Sequence, residues 1–258
     1  MSVKIIAVAN QKGGVGKTTT AVNLSASLAL AEAKVLLVDF DPQGNASSGL
    51  GFHGPDISAS IYNVLTRTAT MDEIITKTEI DGLHLAPASI DLSAAEVELI
   101  NEISRERKLQ KALATVQDRY DFIIIDCPPS LGLLTVNALT AAGSVLIPLQ
   151  CEYYALEGLS QLLNTVELIK ENLNSSLDIE GILLTMYDGR NNLAKEVLEQ
   201  IKTHFPEKVF NSVIPRAVAL SEAPSHGKPI MLYQARSKGS DRYIDLAKEV
   251  LTKGSHNI

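Results

Sequence analysis

Short apolar runs recur along the chain, and stretches with helical spacing separate most of them. The runs at 5–9, 34–39, 83–87, 121–126, 144–149, 179–185 and 209–214 predict strands. Apolar residues at helical spacing predict helices over 19–33, 59–66, 71–77, 131–142, 156–172 and 240–252, with 92–118 largely helical and strongly charged. The inner faces read Leu156, Leu159, Leu163 and Val166 in one helix, and Leu193, Val197 and Ile201 in another. The pattern from Thr70 to Glu73 is a capping box that opens 71–77. Residues 45–60 are rich in Gly, Ser and Asn and read as loop. In Phe122-Ile-Ile-Ile-Asp126 both faces are apolar, as in a parallel strand covered on two sides. Alternating strand and helix predict an α/β fold: a doubly wound, mostly parallel sheet with helices on both faces and its ligand at the strand C-termini. At 258 residues with no linker or internal repeat, one domain over 1–258 is expected.

Composition narrows the function classes. No apolar run approaches the roughly 20 residues of a membrane span, and no signal peptide stands out. Two cysteines, Cys127 and Cys151, lack CxxC spacing. A soluble cytoplasmic protein is the expectation. The net charge of −7 argues against whole-surface affinity for nucleic acid and leaves room for a local basic patch.

The strongest chemical signal is Asn10-Gln-Lys12-Gly13-Gly14-Val15-Gly16-Lys17-Thr18-Thr19-Thr20, between the first strand and the first helix. A glycine-rich turn at a helix N-terminus offers free N–H groups and a positive dipole end to an anion. Gly16-Lys17-Thr18 matches the end of the P-loop pattern, with Lys17 for the β/γ-phosphates and the Thr18 hydroxyl for Mg²⁺. The general pattern wants Gly where Gln11 stands; a second lysine, Lys12, sits at the mouth instead. Asp39, Asp41 and Asp126 fall at or just after strand ends. Asp126 fits a carboxylate that holds Mg²⁺ directly or through water, and Asp41 one that orients the attacking water. Asp39 is expected to hold a metal-bound water or the loop. Away from such a loop, an Asp at a strand end is more often a cap or turn residue.

The segment from Lys12 to Thr18 resembles the deviant Walker A motif of the ParA/MinD family. Leu37-Val-Asp39-Phe-Asp41-Pro-Gln-Gly-Asn45 and Phe122-Ile-Ile-Ile-Asp126-Cys-Pro-Pro-Ser130 match its next two motifs. Pro148-Leu-Gln-Cys-Glu152, Ile214-Pro215-Arg216 and the stretch from Leu220 to Pro229 look like the chromosomal ParA (Soj) branch. The resemblance implies an ATPase that dimerises face to face around two ATP molecules with Mg²⁺. Lys12 would then reach the partner's phosphates, and Gly13 would admit the close approach. Lys12, Gly13, Gly14, Val15, Gly16, Lys17, Thr18 and Thr19 would surround the phosphates, with Lys12, Lys17 and Asp41 in catalysis. Thr18, Asp126 and Asp39 would lie on the metal side, and Met186, Pro215 and Arg216 on the base side.

Members of this branch bind DNA non-specifically as ATP dimers on the nucleoid, and a ParB (Spo0J-like) partner stimulates hydrolysis and releases them. Two positions depart from the branch pattern: Ala217 where Asn is common, and Ala219 where a basic residue is common. Arg190, Lys195, Arg216, Arg236, Lys238 and Arg242 remain as a candidate basic face, Arg190 foremost. The alternative, a MinD-like switch on a membrane or other cargo, wants a basic amphipathic C-terminal anchor. The end from Tyr243 to His256 has mixed charge and an ordinary packing stripe. A reductase related to the nitrogenase iron protein would need cluster cysteines; Cys127 and Cys151 read more simply as core thiols.

Overall fold

The structure, a computed structural model, describes residues 3–152 and 155–254. Ser255 and His256, the end of the stretch read above for an anchor, lie outside them. Eight strands among the described residues form one sheet: β1 (Lys4–Val8), β2 (Val35–Asp39), β3 (Thr76–Lys77), β4 (Leu83–Ala86), β5 (Phe122–Asp126), β6 (Ser144–Gln150), β7 (Asp178–Tyr187) and β8 (Val209–Pro215). Their order is β3-β4-β2-β5-β1-β6-β7-β8. All pairs are parallel except β3·β4. The chain winds outward to one side of β1, returns through β5, and then builds the other side from β6. A strand order that reverses in this way opens a crevice at the C-terminal ends beside β1.

Side-chain alternation divides the core in two. Ile6, Val8, Val35, Leu37, Phe122 and Ile124 face one helical layer, built mainly from α1 (Lys17–Leu30) and α12 (Lys238–Gly254). Ala7, Ala9, Leu36, Val38, Ile123 and Ile125 face the other, which includes α7 (Leu133–Ala141), α8 (Ala155–Asn172) and α9 (Asn192–His204). Successive strand residues point to opposite faces, so a strand covered on both sides must be apolar throughout. Each such Ile or Leu gains about 1.5–3 kcal/mol from burial; an Asp at Ile124 would break both the packing and the strand. The apolar stripe of α12, Tyr243, Leu246, Ala247 and Val250, is spent in the core. Glu249 of the same helix accepts the Asn211 and Ser212 amides (2.9 and 2.7 Å), covering part of the β8 edge.

Three expectations need correcting. Residues 45–60 are not all loop: α2 (Asn45–Gly49) follows Gly44, whose φ of 62° starts the turn. The stretch 92–118 is broken into α5 (Leu92–Glu98), α6 (Lys108–Leu113) and 3₁₀ turns. Ser104 takes a left-handed φ of 58°, and Asn137 holds the break by accepting the Leu109 amide while donating to the Arg105 carbonyl. The helix at 71–77 stops as α4 (Met71–Ile74), because Thr76 and Lys77 pair antiparallel with β4. Between these lies α3 (Ile61–Leu65), and α10 (Val218–Glu222) and α11 (Ile230–Tyr233), which no periodicity marks, close the chain onto α1 and α12.

Candidate nucleotide and metal site

The loop leaves β1 and is pinned from two neighbouring strands. Asn10 donates from Nδ2 to the Pro148 carbonyl of β6 (2.7 Å) and accepts the Lys12 amide at Oδ1 (3.0 Å). The Thr185 hydroxyl, buried in β7, donates to the Val15 carbonyl (2.8 Å). Gly14 and Gly16 have φ of 74° and 86°, a region where a Cβ is strained. Gly16 supplies no side-chain cap to α1, and the first turn of that helix holds no carboxylate. The N-terminal amides and dipole of α1 therefore lack an internal anion.

Lys17 is buried, and its ammonium donates to the Lys12 carbonyl (3.1 Å). Burial holds that ammonium below its usual value, against the opposing pull of Asp126, Cys127 and Asp41. Thr18 and Thr19 follow in the first turn, half-buried. Lys12 is exposed, and its ammonium pairs with Glu152 in the loop after β6. Gly13 differs from its neighbours: its φ is not positive, and a Cβ there would meet nothing within 4 Å. Nothing inside the subunit requires glycine at 13.

Beside the loop, Asp39 of β2 and Asp126 of β5 are register partners, and both are fully buried. Asp39 Oδ2 accepts the Ser47 amide and hydroxyl (both 2.7 Å), and Oδ1 accepts the Asp41 amide (3.4 Å). Both Asp126 oxygens are buried without a hydrogen-bond partner. Burial first, then the Asp39 charge, pushes the Asp126 carboxyl well above the usual range, while the Thr18 hydroxyl and Lys17 favour its charged form. Burial raises Asp39 from 3.8 to about 6 despite its donors. Asp41, 7% exposed, accepts the Gln43 amide at Oδ1 (3.0 Å).

A fully buried carboxyl beside a hydroxyl and a lysine fits a divalent cation. The described residues offer no cluster of three or more His, Cys, Asp or Glu to hold one unaided. Mg²⁺ suits this donor set, since it binds through one or two carboxylates, waters and substrate phosphates. Thr18, Asp39 and Asp126 are thus brought together.

On the base side, Met186 at the end of β7 lies against Gly16, within about 4 Å of where its Cβ would be, and takes a φ of 50°. Such strain is stored where the surroundings enforce it, often at ligand sites. Pro215 ends β8 opposite Tyr187. These two residues, with Asn211, Val213, Lys238, Asp241 and Arg242, line a cleft of about 590 Å³. Arg216, exposed next to Pro215, is near enough to Asp188 to help lower that carboxyl. Arg190 is 92% exposed but engaged: its Nε and Nη2 donate to the two oxygens of Asp188 (2.9 and 2.8 Å). Lys195 on α9 and Arg236 before α12 are exposed and do not line the cleft. The structure therefore gathers Arg190, Arg216, Lys238 and Arg242 around the ends of β7 and β8, with Lys195 and Arg236 apart. Asn10, Ser47, Glu152 and Thr185 escape sequence reasoning, because each acts on a distant segment.

A family profile described as "AAA domain" matches residues 3–179. The chain is 60% identical over 251 residues to the sporulation initiation inhibitor protein Soj of Bacillus subtilis, covering 97% of this chain and 99% of that one. It is 56% identical to the chromosome partitioning protein ParA of Myxococcus xanthus, covering 97% and 88%. A solved structure named cobyrinic acid a,c-diamide synthase, from Mycobacterium smegmatis with ADP and magnesium, superposes with a TM-score of 0.87 at 37% identity, covering 99% and 97%. The chain belongs to the ParA/Soj family of P-loop ATPases.

Proposed function

We propose that the chain, acting as one domain, is a dimerising ATPase that carries chromosome or plasmid DNA. ATP would switch non-specific DNA binding on, and hydrolysis, stimulated by a ParB-type partner on the nucleoid, would switch it off. ATP hydrolysis with Mg²⁺ is the family chemistry, and the residues here suit it. Bound Mg²⁺ supplies charge neutralisation at the phosphates. Lys17 holds the phosphates of its own site, the Thr18 hydroxyl and Asp126 serve the metal side with Asp39 behind them, and Asp41 orients water. The amides of Gly14, Val15, Gly16, Lys17, Thr18 and Thr19 cradle phosphate oxygens, and Met186, Pro215 and Arg216 flank the base.

The observation that carries the dimer is Gly13. It has neither a left-handed backbone nor a crowded Cβ, so the subunit leaves open space at the mouth of the loop into which a partner could come close. Lys12 supports this, being an exposed cation at the mouth that pairs with the exposed carboxylate of Glu152. A membrane-switch reading loses support because the apolar stripe of α12 is buried, and no helix of the described residues is long and apolar enough to cross a membrane. A reductase of the nitrogenase-iron-protein kind loses support because a cluster is held by cysteine thiolates. Cys127 and Cys151 are both buried, burial raising the first and taking the second to about 11.

The test is DNA binding with ATP, ADP and no nucleotide across a salt series. Binding with ATP alone, falling steeply with salt, is expected: contacts to about six phosphates lose roughly 10³-fold between ~50 and ~200 mM. A dimer presents each basic patch twice, so ATP can raise avidity without new contacts. Binding that ignores nucleotide, or none at any salt, would overturn the DNA reading.

A further inference from the structure

Ser47 joins three segments at one oxygen. Its hydroxyl donates to Asp39 Oδ2 at 2.7 Å while the same oxygen accepts the Ala88 amide at 3.2 Å. Its own amide donates to Asp39 Oδ2 as well. Ser47 is 1% exposed and Asp39 0%, so neither bond has a solvent alternative. The end of β2, helix α2 and the loop after β4 therefore meet there. A hydroxyl is needed, because one heavy atom must donate and accept at once.

Helix α2 cannot stand alone. It has five residues, Asn-Ala-Ser-Ser-Gly, and no side-chain cap, far short of the length at which isolated helices persist. The Asp39–Ser47 bonds fix it. Asp41 lies between the two anchors, its amide leaning on Asp39 and the chain beyond it tied down by Ser47.

We propose that Ser47 is a positioning residue for ATP hydrolysis, coupling Asp39 on the metal side of the nucleotide to the placement of Asp41 and of the loop after β4. This rests on the assignment of Asp39 and Asp126 to the metal side. Any shift of the Asp39 carboxyl would be transmitted through Ser47 to α2 and to the Ala88 amide.

The experiment compares Ser47→Ala, Ser47→Thr and Asp126→Asn in the full chain. One readout is the kcat and KM for ATP across a Mg²⁺ titration. The other is hydrogen exchange at 40–51 and at 12–20, with ADP plus Mg²⁺ against ADP plus chelator. Ser47→Ala is expected to lower kcat about tenfold or more with KM changed by less than about twofold, as for other groups that orient metal ligands. It should also lose the Mg²⁺-dependent protection at 40–51 while keeping nucleotide protection at 12–20, which doubles as the fold control. Ser47→Thr should restore both. Ser47→Ala with wild-type kcat and protection overturns the proposal, as does a Ser47→Thr variant as impaired as Ser47→Ala. Unchanged Mg²⁺ dependence in Asp126→Asn would instead show the metal-side assignment itself to be wrong.

Discussion

Replacing Asp126 with Asn removes a fully buried carboxyl next to a second buried carboxyl. Asp39 sets the scale. With three donors it is still raised from 3.8 to about 6, and that displacement opposes the charged form by about 3 kcal/mol. Asp126 is opposed in the same direction, by burial first and then by the Asp39 charge. Asn removes this opposition but buries an amide, which costs about 1–3 kcal/mol if unpaired. A net gain of about 1 kcal/mol in the metal-free protein follows, or roughly 2–4 °C in Tm for a chain of this size. The sign follows from linkage. A raised carboxyl means the native state holds its proton more tightly than the unfolded chain, so the stability that Asp126 contributes falls as pH rises above 3.8. Asp126→Asn should therefore melt above wild type at pH 8 in chelator, and by a smaller margin near pH 5. With Mg²⁺ and ADP the order should reverse, since the metal needs the carboxylate. Melting curves at both pH values, with and without Mg²⁺, decide it. A variant less stable than wild type at pH 8 in chelator, or an equal Mg²⁺ increment in both proteins, would refute the argument.

Gly13→Val should leave ATP affinity unchanged within about twofold, because its Cβ meets open space, yet abolish ATP-dependent dimers on a sizing column; dimers of normal size would sink the close-approach argument. Glu152→Gln frees Lys12 from a pair of side chains each 45% exposed, so stability should move by no more than about 1 kcal/mol. The ATP concentration needed for dimerisation should fall, by up to about fivefold, and a rise measured by light scattering would contradict a trans role for Lys12. Asp188→Asn releases the Arg190 guanidinium, so DNA affinity should rise and the salt slope steepen by about one. An unaltered slope would mean that Arg190 does not reach phosphate.

The central strands were legible because both faces are buried, which makes Ile123, Ile124 and Ile125 a continuous apolar run. The loop was legible because its requirements are local: Gly14 and Gly16 need positive φ, and α1 must begin at Lys17. The misreadings share one cause. Helix α2 is made mostly of weak helix formers and exists because Asp39, eight residues before Ser47, holds it. The break within 92–118 depends on Asn137, and the halt of α4 on a strand pair with β4. Asn10 acts on Pro148, Thr185 on Val15 and Glu152 on Lys12, each more than a hundred residues away. No window of the sequence contains such pairs.

The loop and the carboxylates differ in what satisfies them. Gly14, Gly16, Lys17 and Thr185 serve interactions completed within the subunit. Asp126 and the first turn of α1 are less fully served: one is a carboxyl whose charge burial opposes, the other an N-terminus with no carboxylate of its own. Phosphate and Mg²⁺ supply opposite charges to those two places at once, so a nucleotide–metal complex fits where either alone would leave a charge opposed by burial. Gly13 and Lys12 still have no internal explanation after that, because a Cβ at 13 has room and the Lys12–Glu152 pair is exposed. Gly13 leaves open space at the mouth and Lys12 an exposed cation there, and these two are what the proposed close approach of a second subunit would use.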